Sequence, residues 1–292
     1  MGNGTQLIAL PALGIVRMRG PDAARFLQGQ LSNDIERLSA QGSMLAGYHN
    51  PQGRAIALLH LVQWAADDIL AVVPRELAST VSLRLSKFVL RAKVKIADES
   101  QSWRIDGLVE EAESGNVPPR SVSSTSVQVA ANRWLLISAA ESAPLSDYQT
   151  GGEEFWRSCE VAAGQPQVYN ATSEEFVAQM LNLDVLNAIA FDKGCYTGQE
   201  VIARAHYRGR VKRRMQRFVS REPCELVPGQ SGQLTDGRAF KIVQAVRLAD
   251  GRIEFLAVAP LVAGEREPAE PAAPGTTVLA ADPMPLPYSL PD

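Results

Sequence analysis

The change of texture past Arg208 constrains the fold of this chain most. Two Asp-Gly pairs, Asp236-Gly237 and Asp250-Gly251, stand between short apolar segments. Asp-Gly between apolar runs is a strong hairpin signal, because the tight turn requires positive φ at its central residues. The pattern predicts a small all-β domain over residues 206–292. From Glu265 onward the chain is rich in Pro and Ala, which predicts an extended tail lying over the surface or partly disordered.

The first part reads as mixed α and β. Gly14–Arg19 alternates like a strand, and Pro21-Asp22 then opens a helix carrying Phe26, Leu27 and Leu31. Asn50-Pro51-Gln52-Gly53 is a turn, Ala55–Trp64 a long strand, and Ile69–Val73 a second strand after Asp67-Asp68. A helix follows from about Pro74 with Leu77, Val81, Leu85 and Phe88 on one face, then the strand Val94–Ile96. Glu110–Ser126 is acidic and rich in Ser, Pro and Gly, and reads as an exposed loop. Val127–Val129 and Trp134–Ile137 predict a hairpin, and Glu153–Ala163 a helix.

At 292 residues, with 46% hydrophobic and 21% charged side chains, the chain has the composition of a soluble protein of two or three domains. A net charge of -3 gives no global field toward nucleic acid. No apolar run approaches 18 residues, and the start lacks the basic and apolar regions of a signal peptide, so the expected location is cytoplasmic. Cys159, Cys195 and Cys224 form no CxxC pair, and His49, His60 and His206 are widely spaced. Neither a disulfide framework nor a zinc or resident iron–sulfur site is expected.

One cysteine stands apart. In Lys193-Gly194-Cys195-Tyr196-Thr197-Gly198-Gln199-Glu200 it lies between two glycines and near a lysine. The glycines predict a tight loop that presents its side chains. A nearby cation favours the thiolate, which makes Cys195 a candidate reactive or metal-touching thiol. The alternative is a small buried hydrophobe. Lys193 has two candidate roles, lowering the thiol pKa or pairing with Glu200. Gly194 and Gly198 shape the loop, Gln199 and Glu200 offer hydrogen bonds, and Tyr196 is a candidate cover for the thiol.

This octapeptide resembles the KGCYxGQE signature of the YgfZ family, the folate-binding, iron–sulfur-related relatives of the glycine-cleavage aminomethyltransferase, GcvT. Val201–Arg204 continues the match. Gly20–Ala23, Phe26–Gln30, Asn33-Asp34 and Asn50–Arg54 resemble the family's N-terminal segments, and Pro285–Leu290 its C-terminus. The resemblance implies an α+β fold. A GcvT-like folate-binding module of mixed sheets and helices is expected over 1–205, split into subdomains near 100–125. A small β-barrel over 206–292, with a cleft between domains, completes it.

The implied ligand is tetrahydrofolate or a related folate, with no resident iron–sulfur cluster. Trp156 matches a tryptophan that contacts folate in the family. Leu13 stands where the family has a second aromatic, and Ala162 where the superfamily often has Glu. Arg54 is a candidate for the folate glutamate carboxylate, or a surface charge at a turn. Aminomethyltransferases carry acidic residues after a Gly-Gly turn; Gly53–Leu58 here has none.

The implied function is support of [4Fe–4S] assembly, delivery or repair in client enzymes, among them the radical enzymes that thiolate tRNA, with Cys195 as the functional thiol. An accessory factor is expected rather than an aminomethyltransferase, with folate and the client enzymes or assembly factors as partners. Two alternatives stay open. One is a tetrahydrofolate-dependent one-carbon transferase. The other is a non-catalytic RNA- or protein-binding module on Arg204, Arg208, Arg210, Lys212, Arg213 and Arg214, which with Arg217 lie in an acid-free stretch from Val201 to Ser220. That run also reads as a solvated face of the first barrel strand.

Overall fold

The computed structural model describes residues 5–38, 42–110, 124–143, 145, 148–209, 211–261 and 277–291. Most of the acidic stretch 110–126, Arg210 and the Pro- and Ala-rich residues 265–276 lie outside this set. The chain divides into two compact units. Met1–Tyr48, Ala57–Trp156 and Ala188–Thr197 make the first; His49–Ile56, Arg157–Asn187 and Gly198–Asp292 make the second.

The first unit is built on two five-stranded sheets. One has the order β3 (Ser43–His49), β4 (Ala55–Ala65), β5 (Asp68–Pro74), β2 (Leu13–Arg19), β6 (Lys95–Asp98). β2 runs antiparallel to β5 from Leu13↔Pro74 to Arg19↔Asp68, and to β6 on its other side. The helix Arg75–Ser86 buries Leu77, Val81 and Leu85 and packs beside β2 and β6. The expected helical face ran on to Phe88. The helix ends at Ser86, and Phe88 stands exposed in the turn that follows. The second sheet has the order β10 (Gln149–Thr150), β1 (Thr5–Ala9), β7 (Trp103–Glu110), β9 (Arg133–Ala139), β8 (Ser124–Ala130). β8 and β9 form the predicted hairpin, with β8 starting at Ser124 inside the stretch expected to be loop. Trp64 and Trp103 meet edge to face with centroids 4.9 Å apart, joining the two sheets.

The second unit is dominated by a six-stranded sheet in the order β15 (Val278–Leu279), β12 (Ser231–Leu234), β13 (Ala239–Arg247), β14 (Ile253–Pro260), β11 (Arg213–Ser220), β16 (Ala281–Met284). Both Asp-Gly pairs sit at the predicted hairpins, between β12 and β13 and between β13 and β14. Gly237 and Gly251 have φ of 88° and 83°. β15 and β16 occupy opposite ends of the strand order, yet only Ala280 separates them in the chain. One residue cannot span an open sheet, so the sheet curls until its edges nearly meet. The expected tail from Glu265 onward is corrected in one part: Val278–Leu279 and Ala281–Met284 are strands that complete the barrel-like sheet. Phe218, Phe240, Ile242 and Phe255 fill its interior, with Phe218 stacked on Phe255 at 5.5 Å.

Among the described residues no helix is long and apolar enough to cross a membrane.

Candidate functional site

Lys193 organises the loop that carries the thiol. Its ammonium donates to three backbone carbonyls, those of Gln28 at 2.8 Å, Leu31 at 2.8 Å and Asn33 at 2.7 Å. A lysine has three donors, so none remains for Glu200. The carbonyls belong to the last residue of the short helix Ala23–Gln28 and to the turn that follows it. Asp34 shapes that turn: its carboxylate accepts from Gln28 Nε2 at 2.9 Å and caps the 3₁₀ turn Ile35–Arg37. Two separate sequence motifs, Phe26–Asp34 and the octapeptide, thereby meet in one lock. Burial pulls the Lys193 pKa down to about 8, against the opposing field of Asp34 and Glu36. At neutral pH the ammonium form holds all three bonds.

The approach to the loop is fastened to the same region. The Ser32 hydroxyl donates to Ala188 O at 2.7 Å, the Ala190 N–H donates to Ser32 O at 2.9 Å, and Asp192 pairs with Arg37 at 2.9 Å. Tyr196 is buried; the Lys193 ammonium lies 5.2 Å from its ring centroid, and burial pushes the phenol up to about 12. Between these two anchored residues Cys195 is exposed. A side chain held between a three-point lock and a buried ring is displayed in a set position.

The two glycines of the motif play unequal parts. A Cβ at Gly194 would meet nothing within 4 Å. Gly198 has φ of 82°, and a Cβ there would lie 2.5 Å from Asn50 O and 3.0 Å from the Gly53 Cα. Only Gly198 requires glycine, because the turn Asn50–Gly53 presses against it. Gln199 and Glu200 do not brace the loop; they open the helix Gln199–Tyr207, with Glu200 exposed in its first turn, where the helix dipole favours an anion.

The three candidate folate contacts sit in different settings. Trp156 is 3% exposed. Its ring fills the space left by Gly107, where a Cβ would lie 2.4 Å away, and the Arg133 guanidinium lies 5.2 Å from its centroid. Leu13 is half-buried at the start of β2. Arg54 is exposed, but its guanidinium donates to the carbonyls of Glu174 and Glu175. Trp156 and Leu13 belong to the first unit and Arg54 to the second. A pterin stacks on an open aromatic face, and the buried Trp156 ring presents none.

The segment Ala55–Leu58 is buried and without acid, as read from the sequence. The fold nevertheless brings a carboxylate to the adjoining turn. Glu174 accepts from Asn50 Nδ2 at 2.7 Å, and its backbone N–H donates to Ala55 O at 2.8 Å. Sequence reasoning missed Glu174 because it lies more than 100 residues from that turn. Glu160, two residues before Ala162, accepts from Gln244 Nε2 at 2.9 Å.

The arginine run is split by its strand. Arg214 is buried and forms a two-pronged pair with Asp184, at 3.0 and 2.8 Å. Arg217 pairs with Glu254. Arg204, Arg208, Lys212 and Arg213 are exposed, beside an exposed Tyr207 whose ring meets His206 edge-on at 4.7 Å. Among the described residues no group of three His, Cys, Asp or Glu side chains is placed to hold a metal ion.

No protein-family model matches the chain. An uncharacterized protein of Haemophilus influenzae is 32% identical over 72% of both chains. The tRNA-modifying protein YgfZ of Yersinia pseudotuberculosis is 29% identical over 97% of this chain and 92% of its own length, and that of Serratia proteamaculans 28% identical over 85% and 82%. The chain belongs to the YgfZ family. The crystal structure of the glycine cleavage system aminomethyltransferase T from Bartonella henselae superposes on this YgfZ-family chain with a TM-score of 0.68 at 14% identity, covering 89% of this chain and 79% of that one. The fold is therefore GcvT-like, mixed sheets with few helices followed by a nearly closed barrel-like sheet.

Proposed function

We propose that this YgfZ-family protein is a folate-binding accessory factor that supports assembly, delivery or repair of [4Fe–4S] clusters in client enzymes, including those that thiolate tRNA. The observation that carries the reading is the exposed Cys195 held between the Lys193 lock and the buried Tyr196. A thiolate is a soft ligand for iron, and a single displayed thiol suits transient contact with a cluster in transit or with a client thiol. The cluster is cargo in this reading. Support for a link to tRNA modification comes from the relatives named tRNA-modifying protein YgfZ. Folate binding is proposed on family and fold, with its contacts at residues other than a Trp156 stacking face. The buried, acid-free Ala55–Leu58 weighs against the one-carbon transferase.

The test is rescue of tRNA methylthiolation in a bacterial strain lacking its own YgfZ-type protein. Wild type and Cys195→Ala are compared at equal protein level. Rescue by wild type alone is expected. Equal rescue by both overturns the thiol role.

A second reading, contact with RNA phosphates, is favoured by the exposed Arg204, Arg208, Lys212 and Arg213 around Tyr207. RNA affinity is then expected to fall steeply with salt, and Arg208→Glu with Arg213→Glu to flatten that slope. An unchanged slope removes this reading.

A further inference from the structure

Residues Leu77–Ala97 contain no acid and five cations, Arg84, Lys87, Arg91, Lys93 and Lys95. The last four are exposed, and among the described residues none of them forms an ion pair. The same stretch displays Leu83, Phe88 and Leu90, which are 63%, 54% and 88% exposed. Leu83 and Lys87 lie four residues apart, one turn from each other. Phe88 and Val89 donate backbone hydrogen bonds to Leu85 and Ser86, closing the turn beyond the helix.

The strip is braced on the first unit. The Lys93 N–H donates to the Asp22 carboxylate at 2.6 Å, and Lys95 sits opposite Arg19 where β6 joins β2. Arg91, Lys93 and Lys95 are exposed while Ala92, Val94 and Ile96 are half-buried. Exposed cations thus alternate with half-buried apolar residues up to Lys95, where β6 begins.

β6 is the edge of its sheet, and lysine on an edge strand discourages unwanted strand pairing. That function accounts for Lys95 and leaves the three exposed apolar side chains unexplained. Apolar surface rimmed by charge marks an interaction site.

We propose that the strip Leu83–Lys95 docks a protein partner through an acidic segment that carries apolar side chains. The unpaired cations call for carboxylates, and Leu83, Phe88 and Leu90 call for apolar contact. Two of the three apolar side chains, Leu83 and Leu90, offer no ring for a nucleobase to stack on, which favours protein over RNA. A two-fold contact between copies of this chain would set the same cations against one another. The strip is also smaller than one side of a standard interface, about 20–30 residues, which fits a segment.

The experiment places the photocrosslinker p-benzoylphenylalanine at position 88 of the full chain in the living bacterium, and identifies the crosslinked peptide by mass spectrometry. An acidic protein peptide is expected. The variant R91E/K93E/K95E should cut its yield about tenfold with an unchanged unfolding midpoint, and reversing the acids of the identified peptide should restore it. Crosslinks to RNA or lipid alone, no protein crosslink, or a yield indifferent to charge reversal overturns the proposal. Cys195→Ala should leave the crosslink intact, so failure of the thiol reading and failure of this one are distinguishable.

Discussion

Two acid-free cationic stretches of this protein look alike as strings and differ as surfaces. Val201–Ser220 holds seven cations and Leu77–Ala97 five. In the first, Arg214 is buried on Asp184 and Arg217 pairs with Glu254. In the second, Lys87, Arg91, Lys93 and Lys95 all face solvent without a carboxylate partner. Charge density along a chain is therefore a poor guide to charge at a surface. Strand β11 turns alternate side chains to opposite faces, so Arg213 reaches water while Arg214 enters the interior.

Substitutions that separate cations holding the chain together from cations facing outward sharpen this contrast. The largest effect belongs to Arg214. Arg214→Ala removes the two-pronged partner of Asp184, whose side chain is only 9% exposed, and is expected to destabilise the protein by about 3–5 kcal/mol in urea unfolding. A loss below about 1 kcal/mol would place Arg214 with the exposed cations and erase the distinction.

Lys193 comes next. Lys193→Met strands three carbonyls, for an expected loss of about 2 kcal/mol, and reduces rescue of tRNA methylthiolation although Cys195 is intact. Its pH dependence has a definite sign. The folded pKa is pulled from 10.5 to about 8, so between those values the unfolded chain binds the extra proton. Stability from this group therefore rises as pH climbs through that window. Urea midpoints of wild type and Lys193→Met, compared across the window, should differ in slope. Parallel curves would mean that burial does not depress this lysine.

The smallest effects belong to the outward-facing cations. Arg208→Glu or Lys93→Glu should change stability by less than about 0.5 kcal/mol. A larger loss at either site would show that its charge supports the fold.

Much of the architecture was legible locally. β2, β4, β5, the β8–β9 hairpin and the barrel hairpins follow from alternation and Asp-Gly chemistry, which act over a few residues. The helix Arg75–Ser86 was legible too, but its end was not. Phe88 continues the apolar spacing, and only the turn after Ser86 takes it out of the packed face. The C-terminal segment read as a tail because its Pro and Ala content hides the pairing of β15 and β16 with strands more than 40 residues away.

The motif around Cys195 was visible as a string, and glycine chemistry predicted a loop there. The residues that hold the loop in place lie some 160 positions earlier, at Gln28, Leu31 and Asn33. Local composition determined which groups were available: a thiol, a lysine, a turn, two cationic runs. Tertiary structure alone decided that Lys193 locks the loop, that Arg214 is buried, that Trp156 packs on Gly107, and that Lys87, Arg91, Lys93 and Lys95 face water. Helix, strand and turn preferences are set by neighbours in sequence, whereas burial and hydrogen-bond partnership depend on which distant segments the fold brings together.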